Sequence, residues 1–269
     1  MTNPKILLSG AGNMGGAMLA GWLASGMDPA RFTVVDPFLG EAPTGVRLLR
    51  EVPQGEAFGA VLLGFKPQQL AAIAPDVAVV AGPGTTVLSM LAGVDLATLR
   101  AAFPDAGAVV RVMPNLAVAL GKAPIGLVAE EQTDRGLVDA LMAPLGQAEW
   151  LAGEDRMDLV TALAGSGPAF VYRFIDALAA GAAALGLPRE QADRLALAMV
   201  EGAAALAAAS EFSPGDLADR VASPGGTTRK GLDVLDAEGR LAALMEDTLR
   251  AARDRSAEMT EEARRAAKP

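Results

Sequence analysis

Histidine and cysteine are both absent from this chain of 269 residues. Without cysteine there can be no disulfide, no thiolate nucleophile and no thiolate metal site. Without histidine there can be no Ser-His-Asp triad, and the commonest general base and usual transition-metal ligand are missing. A metal would have to sit on carboxylates alone, and no acidic motif has the spacing for one, so no metal ligand is assigned. Aromatics are scarce at 4% against 51% hydrophobic residues, which leaves Ala, Leu and Val to build the core. Such a core favours helices and parallel strands over a β-sandwich. Charges interrupt every apolar run before the roughly 18 residues of a membrane span. The segment Met1–Lys5 leads into a strand with no apolar leader, so a cytoplasmic protein is expected. A net charge of −9 disfavours nucleic acid and acidic membranes as partners. An anionic ligand would then depend on local backbone donors.

The N-terminal part alternates strand and helix. Lys5–Ser9 is a short apolar run that enters Gly10-Ala11-Gly12-Asn13-Met14-Gly15, and a helical pattern follows from Met14 to Ser25. Phe32–Val35 reads as the next strand and ends on Asp36. Strand, glycine loop, helix, strand and acid stand in the order of a dinucleotide-binding unit. The glycines provide a tight turn, room for a pyrophosphate and close helix–strand packing. Asp36 is placed for the ribose hydroxyls. Further strands are expected at Ala60–Phe65, Thr86–Leu91 and Ala108–Val112, ending respectively on Lys66-Pro67, Ala92-Gly93-Val94 and Met113-Pro114-Asn115. Open α/β sheets bind ligands at the carboxyl ends of their strands, which makes these ends pocket walls as well as strand stops. Helices are expected from Pro67 to about Ile73, from Asp95 to Phe103 and from Asp134 to Pro144. Val77–Ala81 is expected as loop or a short extended piece. Gly126–Val128 and Ala148–Leu151 read as edge strands. Between Asp36 and Ala60, repeated Pro and Gly shorten the usual crossover helix or replace it with loop.

Near Gly153 the pattern turns wholly helical, so the expected division is 1–152, an α/β Rossmann domain, and 153–269, an all-α domain. Helices are expected over Leu159–Ala164, Ala169–Leu185, Arg189–Ser210, Asp216–Val221, Lys230–Leu235 and Leu241 to about Ala263, with a frayed tail past Glu261. Leu241, Leu244, Met245, Leu249, Ala252 and Met259 form a stripe on the last of these. The stretches 177–184 and 203–209 are nearly all Ala and Gly, a thin core that a second copy would complete. The alternative is a monomeric bundle. Between two helical patterns lies Ser223-Pro224-Gly225-Gly226-Thr227-Thr228. It is either a plain connector or an anion site, with backbone N–H groups at a helix start and hydroxyls beside them.

Taken together, these segments resemble the pyrroline-5-carboxylate reductase family over nearly the whole chain. The resemblance rests on Gly10–Gly15, Lys66-Pro67, Ala92-Gly93-Val94, Met113-Pro114-Asn115, Gly165-Ser166-Gly167-Pro168-Ala169-Phe170 and, most specifically, Ser223–Thr228 with Leu217, Val221 and Leu235 around it. It implies a mostly parallel doubly wound N-terminal Rossmann domain and an all-helical C-terminal dimerisation domain, self-associated as a dimer and up to a decamer. It implies hydride transfer from NAD(P)H to the C=N carbon of a cyclic imino acid, giving L-proline. Ser223, Gly225, Gly226 and Thr227 would hold the substrate carboxylate, and Thr228 would act as the catalytic hydroxyl at the ring nitrogen. Gly10, Gly12, Asn13, Met14, Gly15, Asp36, Phe65, Lys66, Pro67, Ala92, Gly93, Met113 and Asn115 would bind the cofactor. Four positions depart from the family pattern. Leu116-Ala117 replaces Thr-Pro, Phe170 replaces Tyr, and Asp36 stands where NADP-using members carry polar or basic residues. A carboxylate there repels a 2′-phosphate, so NADH is expected to be preferred. Two other readings stay open: a reductase of a related imine such as the six-membered homologue, and a nucleotide-responsive dimer without catalysis. A hydroxyacid dehydrogenase fits less well, because its acid/base candidate, Lys66, lies on the cofactor side.

Overall fold

A computed structural model describes residues 4–130 and 133–266. Eight strands form one sheet in the order β3-β2-β1-β4-β5-β6-β7-β8. They are β1 (Ile6–Ser9), β2 (Phe32–Val35), β3 (Arg47–Leu49), β4 (Ala60–Leu63), β5 (Thr86–Ser89), β6 (Ala108–Met113), β7 (Ala123–Ala129) and β8 (Gly146–Trp150). β1 to β6 are parallel in the doubly wound order; β7 runs antiparallel to β6 and parallel to β8. The Rossmann expectation holds, and the chain order reverses between β1 and β4.

Strands β1, β2, β4 and β6 are buried along their whole length and β5 nearly so, which explains their continuous apolar runs, whereas the edge strands β3 and β8 are not. Ile6, Leu8, Phe32 and Leu62 face one layer with Met18 and Trp22 of α1 (Asn13–Ala24) and Val138 and Leu141 of α4 (Arg135–Met142). Leu7, Val61 and Leu63 face the other with Leu70 and Val77 of α2 (Leu70–Ala78) and Leu99 of α3 (Leu96–Ala102). Each such aliphatic side chain contributes about 1.5–3 kcal/mol by leaving water. Trp22 stacks on Phe32 at 5.4 Å, and its indole N–H donates to the Leu141 carbonyl at 2.6 Å.

Several expectations change here. The breaker-rich stretch after Asp36 contains no crossover helix but does contain β3, held by the Asp36 N–H on the Leu49 carbonyl. α2 runs past Ile73 to Ala78 with Pro75 inside it, so Val77–Ala78 is helix rather than loop. The burial of Leu70, Ala74 and Val77 outweighs the one backbone bond that Pro75 removes. β7 is an inner strand, longer than the expected edge strand at Gly126–Val128. The helix expected at Leu159–Ala164 is α5 (Met157–Val160) followed by a π-helical turn, Thr161–Gly165.

Packing groups Met1–Ser166 with Ala251–Pro269 in one compact unit and Gly167–Arg250 in a second. This grouping differs from a division at 152/153, because Met157 packs on Met113 and Val128 and the chain's last helical turns return to the first unit. The second unit contains α6 (Gly167–Ala184), α7 (Arg189–Ala208), α8 (Pro214–Arg220), α9 (Thr227–Leu235) and the start of α10 (Arg240–Ala266). Among the described residues its buried apolar side chains are Ala179, Ala192 and Ala196, which cluster with Ile175, Ala182 and Leu187 against them, and Ala222. α10 continues to Ala266 instead of fraying after Glu261, because Arg264 reaches Asp95 at 2.6 Å within the first unit. The leader reading at Met1–Lys5 falls partly on residues outside those described. No helix among the described residues is long and apolar enough to cross a membrane.

Candidate functional site: a glycine cradle and a hydroxyl turn

The larger site lies in the first unit, at the carboxyl ends of β1, β2 and β4. Gly10 has φ +89, and a Cβ on it would stand 3.0 Å from the backbone of Gly64 and Phe65. Only glycine turns the chain there without strain. Gly12 caps α1 and has open space where a side chain would go. A Cβ on Gly15 would come within 2.5 Å of the Gly10 carbonyl, so this glycine lets helix and turn close together. No side chain caps α1. The N–H groups of Asn13, Met14 and Gly15 accordingly have no acceptor among the described residues, at the positive end of a twelve-residue helix. This cradle offers the donors and the room that a pyrophosphate requires.

The cradle opens on a cavity of about 810 Å³. Of the expected cofactor residues, Gly10, Gly12, Asn13, Asp36, Phe65 and Lys66 line it. Met14 and Gly15 lie in the first turn of α1, and Pro67 opens the 3₁₀ turn before α2, none of them on the cavity wall. Ala92 and Gly93 follow β5, also off the wall; Gly93 has φ +77 and sits against the backbone of Met259. Met113 ends β6 and is buried. Asn115 is buried too, its Nδ2 donating to the Ala164 carbonyl and its Oδ1 accepting from Ala117 N–H. Both ends of that amide serve the protein's own backbone.

Asp36 closes the far side of the cavity. One carboxylate oxygen accepts from Ala11 N–H at 3.0 Å, and the other from Phe38 and Leu39 N–H at 2.9 and 3.0 Å. Burial pushes its pKa up, but these three hydrogen bonds and the nearby positive charge of Arg50 outweigh it and hold the carboxyl below the ordinary value. Arg50, Glu51, Val52 and Gln54 line the same cavity and were missed in the sequence. Their only signal was an unassigned stretch between two strands.

The second site belongs to the other unit. Gly225 has φ +73, and the Gly226 N–H donates to the Ser223 carbonyl at 3.0 Å. A Cβ on Gly226 would stand 2.5 Å from the Ser223 hydroxyl oxygen. α9 starts at Thr227, earlier than the expected Lys230, with no side-chain cap. Gly226 N–H is thus used inside the turn. The N–H groups of Thr227, Thr228 and Arg229 have no acceptor among the described residues. Ser223, Thr227 and Thr228 are exposed. Arg229 pairs with Asp219 at 2.6 Å, tying the start of α9 to α8. The turn presents amides and hydroxyls together, a combination suited to a carboxylate beside a hydrogen-bonding nitrogen.

Sheet order, switch point and cradle define a Rossmann-type dinucleotide-binding protein. Residues 154–259 match the family model described as pyrroline-5-carboxylate reductase dimerisation. The chain is 35% identical over 271 residues to the pyrroline-5-carboxylate reductase of Pseudomonas aeruginosa, covering 97% of this chain and 99% of that protein. It is 36% identical to the enzyme of the same name from Methanosarcina acetivorans, covering 96% and 99%. A solved pyrroline-5-carboxylate reductase from Coxiella burnetii superposes with a TM-score of 0.90 at 31% identity, over 96% of this chain and 99% of that one. The chain belongs to the pyrroline-5-carboxylate reductase family.

Proposed function

We propose that this chain reduces 1-pyrroline-5-carboxylate to L-proline with NAD(P)H. Whole-length similarity to reductases of that name carries the reading. A bound nicotinamide supplies the hydride for the C=N carbon. The chain's own residues bind, orient and place one proton. The Gly10–Gly15 cradle holds the pyrophosphate, Asp36 meets the adenosine ribose, and Phe65, Lys66 and Pro67 border the dinucleotide. Ala92, Gly93, Met113 and Asn115 complete the nicotinamide side. The first-turn amides of α9, with Ser223 and the Gly225-Gly226 turn, take the substrate carboxylate, and the Thr228 hydroxyl hydrogen-bonds the ring nitrogen, accepting from its N–H once the imine is protonated. A cyclic imine is basic enough to arrive protonated, so orientation and charge stabilisation replace a strong acid in a chain without histidine. NADH is preferred, since the ionised Asp36 repels a 2′-phosphate. The C-terminal helices join copies into a dimer, and dimers stack up to a decamer.

A related imine such as the six-membered homologue is the second reading, favoured by Leu116, which is 58% exposed just past β6 where the family pattern has a threonine. NADH oxidation with pyrroline-5-carboxylate beside that homologue tests the assignment. The five-membered substrate should give the higher kcat/KM. A faster six-membered reaction would move the assignment to the second reading, and no oxidation of NADH or NADPH with either would remove it.

A further inference from the structure

We propose that Arg50 is a seat for the 2′-phosphate of the dinucleotide and sets how far the cavity discriminates between NADPH and NADH. The proposal rests on the dinucleotide reading above. Asp36 cannot fix that preference alone. A carboxylate has about four acceptor positions. Three of them here are filled by Ala11, Phe38 and Leu39 N–H groups, so one remains for a ribose hydroxyl. Its charge is spread over those donors and lies in the field of Arg50.

Arg50 has the opposite arrangement. Its Nη1 donates to the carbonyl oxygens of Asp36 at 2.8 Å and Leu39 at 2.6 Å, which fixes the guanidinium beside the loop that follows β2. Its Nε and Nη2 have no partner among the described residues, although the side chain lines the cavity. Those two nitrogens form one edge of the planar group, the edge whose parallel N–H bonds match two oxygens of a phosphate. The guanidinium is therefore anchored on one side and unengaged on the other, within the cavity that Asp36 closes. Glu51 and Asp76 line the same cavity and oppose an added dianion, while Lys66 is the other cation on its wall. With Asp36 they make three carboxylates against two cations, which keeps NADH ahead. Arg50 lets NADPH be used at all.

Adenosine 5′-monophosphate and adenosine 2′,5′-bisphosphate probe the seat without the nicotinamide, by calorimetric titration of wild type, Arg50→Met, Arg50→Lys and Asp36→Asn. Arg50→Met should weaken the bisphosphate by about tenfold or more relative to the monophosphate, the scale of one lost bidentate phosphate contact. Arg50→Lys, which keeps the charge without the fork, should fall between. Asp36→Asn should shift the ratio towards the bisphosphate. The NADPH to NADH ratio of kcat/KM should move in the same sense in each variant. Equal weakening of both nucleotides in Arg50→Met would make Arg50 a loop anchor only and overturn the proposal. Failure of wild type to bind either nucleotide would overturn the dinucleotide reading itself.

Discussion

A threonine hydroxyl is a weak acid, and that suffices only if the proton it helps place is already close to transfer. At Thr228 the hydroxyl sits at the second position of α9, beside first-turn amides that no side chain caps. Carboxylate and ring nitrogen are a few bonds apart in the proposed substrate, so one turn can engage both. Thr228→Ala should lower kcat/KM by about 30- to 1,000-fold, equivalent to about 2–4 kcal/mol, with the melting temperature unchanged because the side chain is exposed. Thr228→Ser should recover most of the loss. Steady-state kinetics within a factor of about two of wild type for the alanine variant would remove Thr228 from the chemistry. Gly10 gives a contrasting residue-scale case. Alanine there meets both a positive φ and the backbone of Gly64 and Phe65, neither of which a rotamer change relieves. Gly10→Ala should weaken dinucleotide binding and cost about 1–2 kcal/mol of stability, measured by nucleotide titration and denaturant unfolding.

At the scale of elements, what was legible in the sequence followed from local rules. β1, the glycine turn, α1 and β2 carry their own punctuation and appear where the pattern places them. β3 does not, since Arg47–Leu49 is three residues among Pro and Gly and exists only because β2 supplies a partner. That pairing sets Leu49 opposite Val35, and so brings Arg50 beside Asp36. Arg50 and its neighbours were thus illegible as cavity residues, because their position is a tertiary consequence of a strand with no periodic signal. The last turns of α10 were misread for the same reason. A charged tail looks frayed until Asp95 is placed next to Arg264. Asp95 caps α3 through Thr98 N–H at 2.8 Å and takes Arg264 Nε at 2.6 Å. Burial raises its pKa, but the Thr98 hydrogen bonds and Arg264 overcome this and lower it below the ordinary value. A lowered folded pKa means that the carboxylate stabilises the fold above its unfolded pKa of about 3.9, and that this contribution is lost as pH falls through the folded value. Wild type should therefore be more stable than Asp95→Asn at pH 7, and the gap should close as the pH drops below about 4. Denaturant unfolding of both proteins across that range measures it. A gap independent of pH would mean that the carboxylate's charge is not what ties α10 to α3.

The whole molecule has an uneven distribution of apolar burial. The first unit encloses two full layers against its sheet, whereas the second hides little more than three alanines. Large apolar side chains of that unit stand open instead, among them Tyr172 on α6, Leu206 on α7 at 73% exposure, and Leu244 and Met245 on α10. Soluble monomers seldom leave so many apolar side chains on one unit uncovered, and a family dimerisation model spans residues 154–259. A second copy laid on these helices would supply the core that alanine-rich α6 and α7 lack, as a homodimer interface resembling a divided domain core does. Because Leu206 and Leu244 are exposed within one chain, a charge at either position costs that chain little by itself. Leu206→Glu combined with Leu244→Glu should consequently split the assembly while leaving the Rossmann unit intact. Sedimentation or light scattering should report single-chain mass for the variant and a multiple for wild type. Nucleotide binding at the cradle, which is built wholly within the first unit, should persist in the split protein. A variant that keeps the wild-type mass would place the interface elsewhere, and a wild type of single-chain mass would remove the dimer.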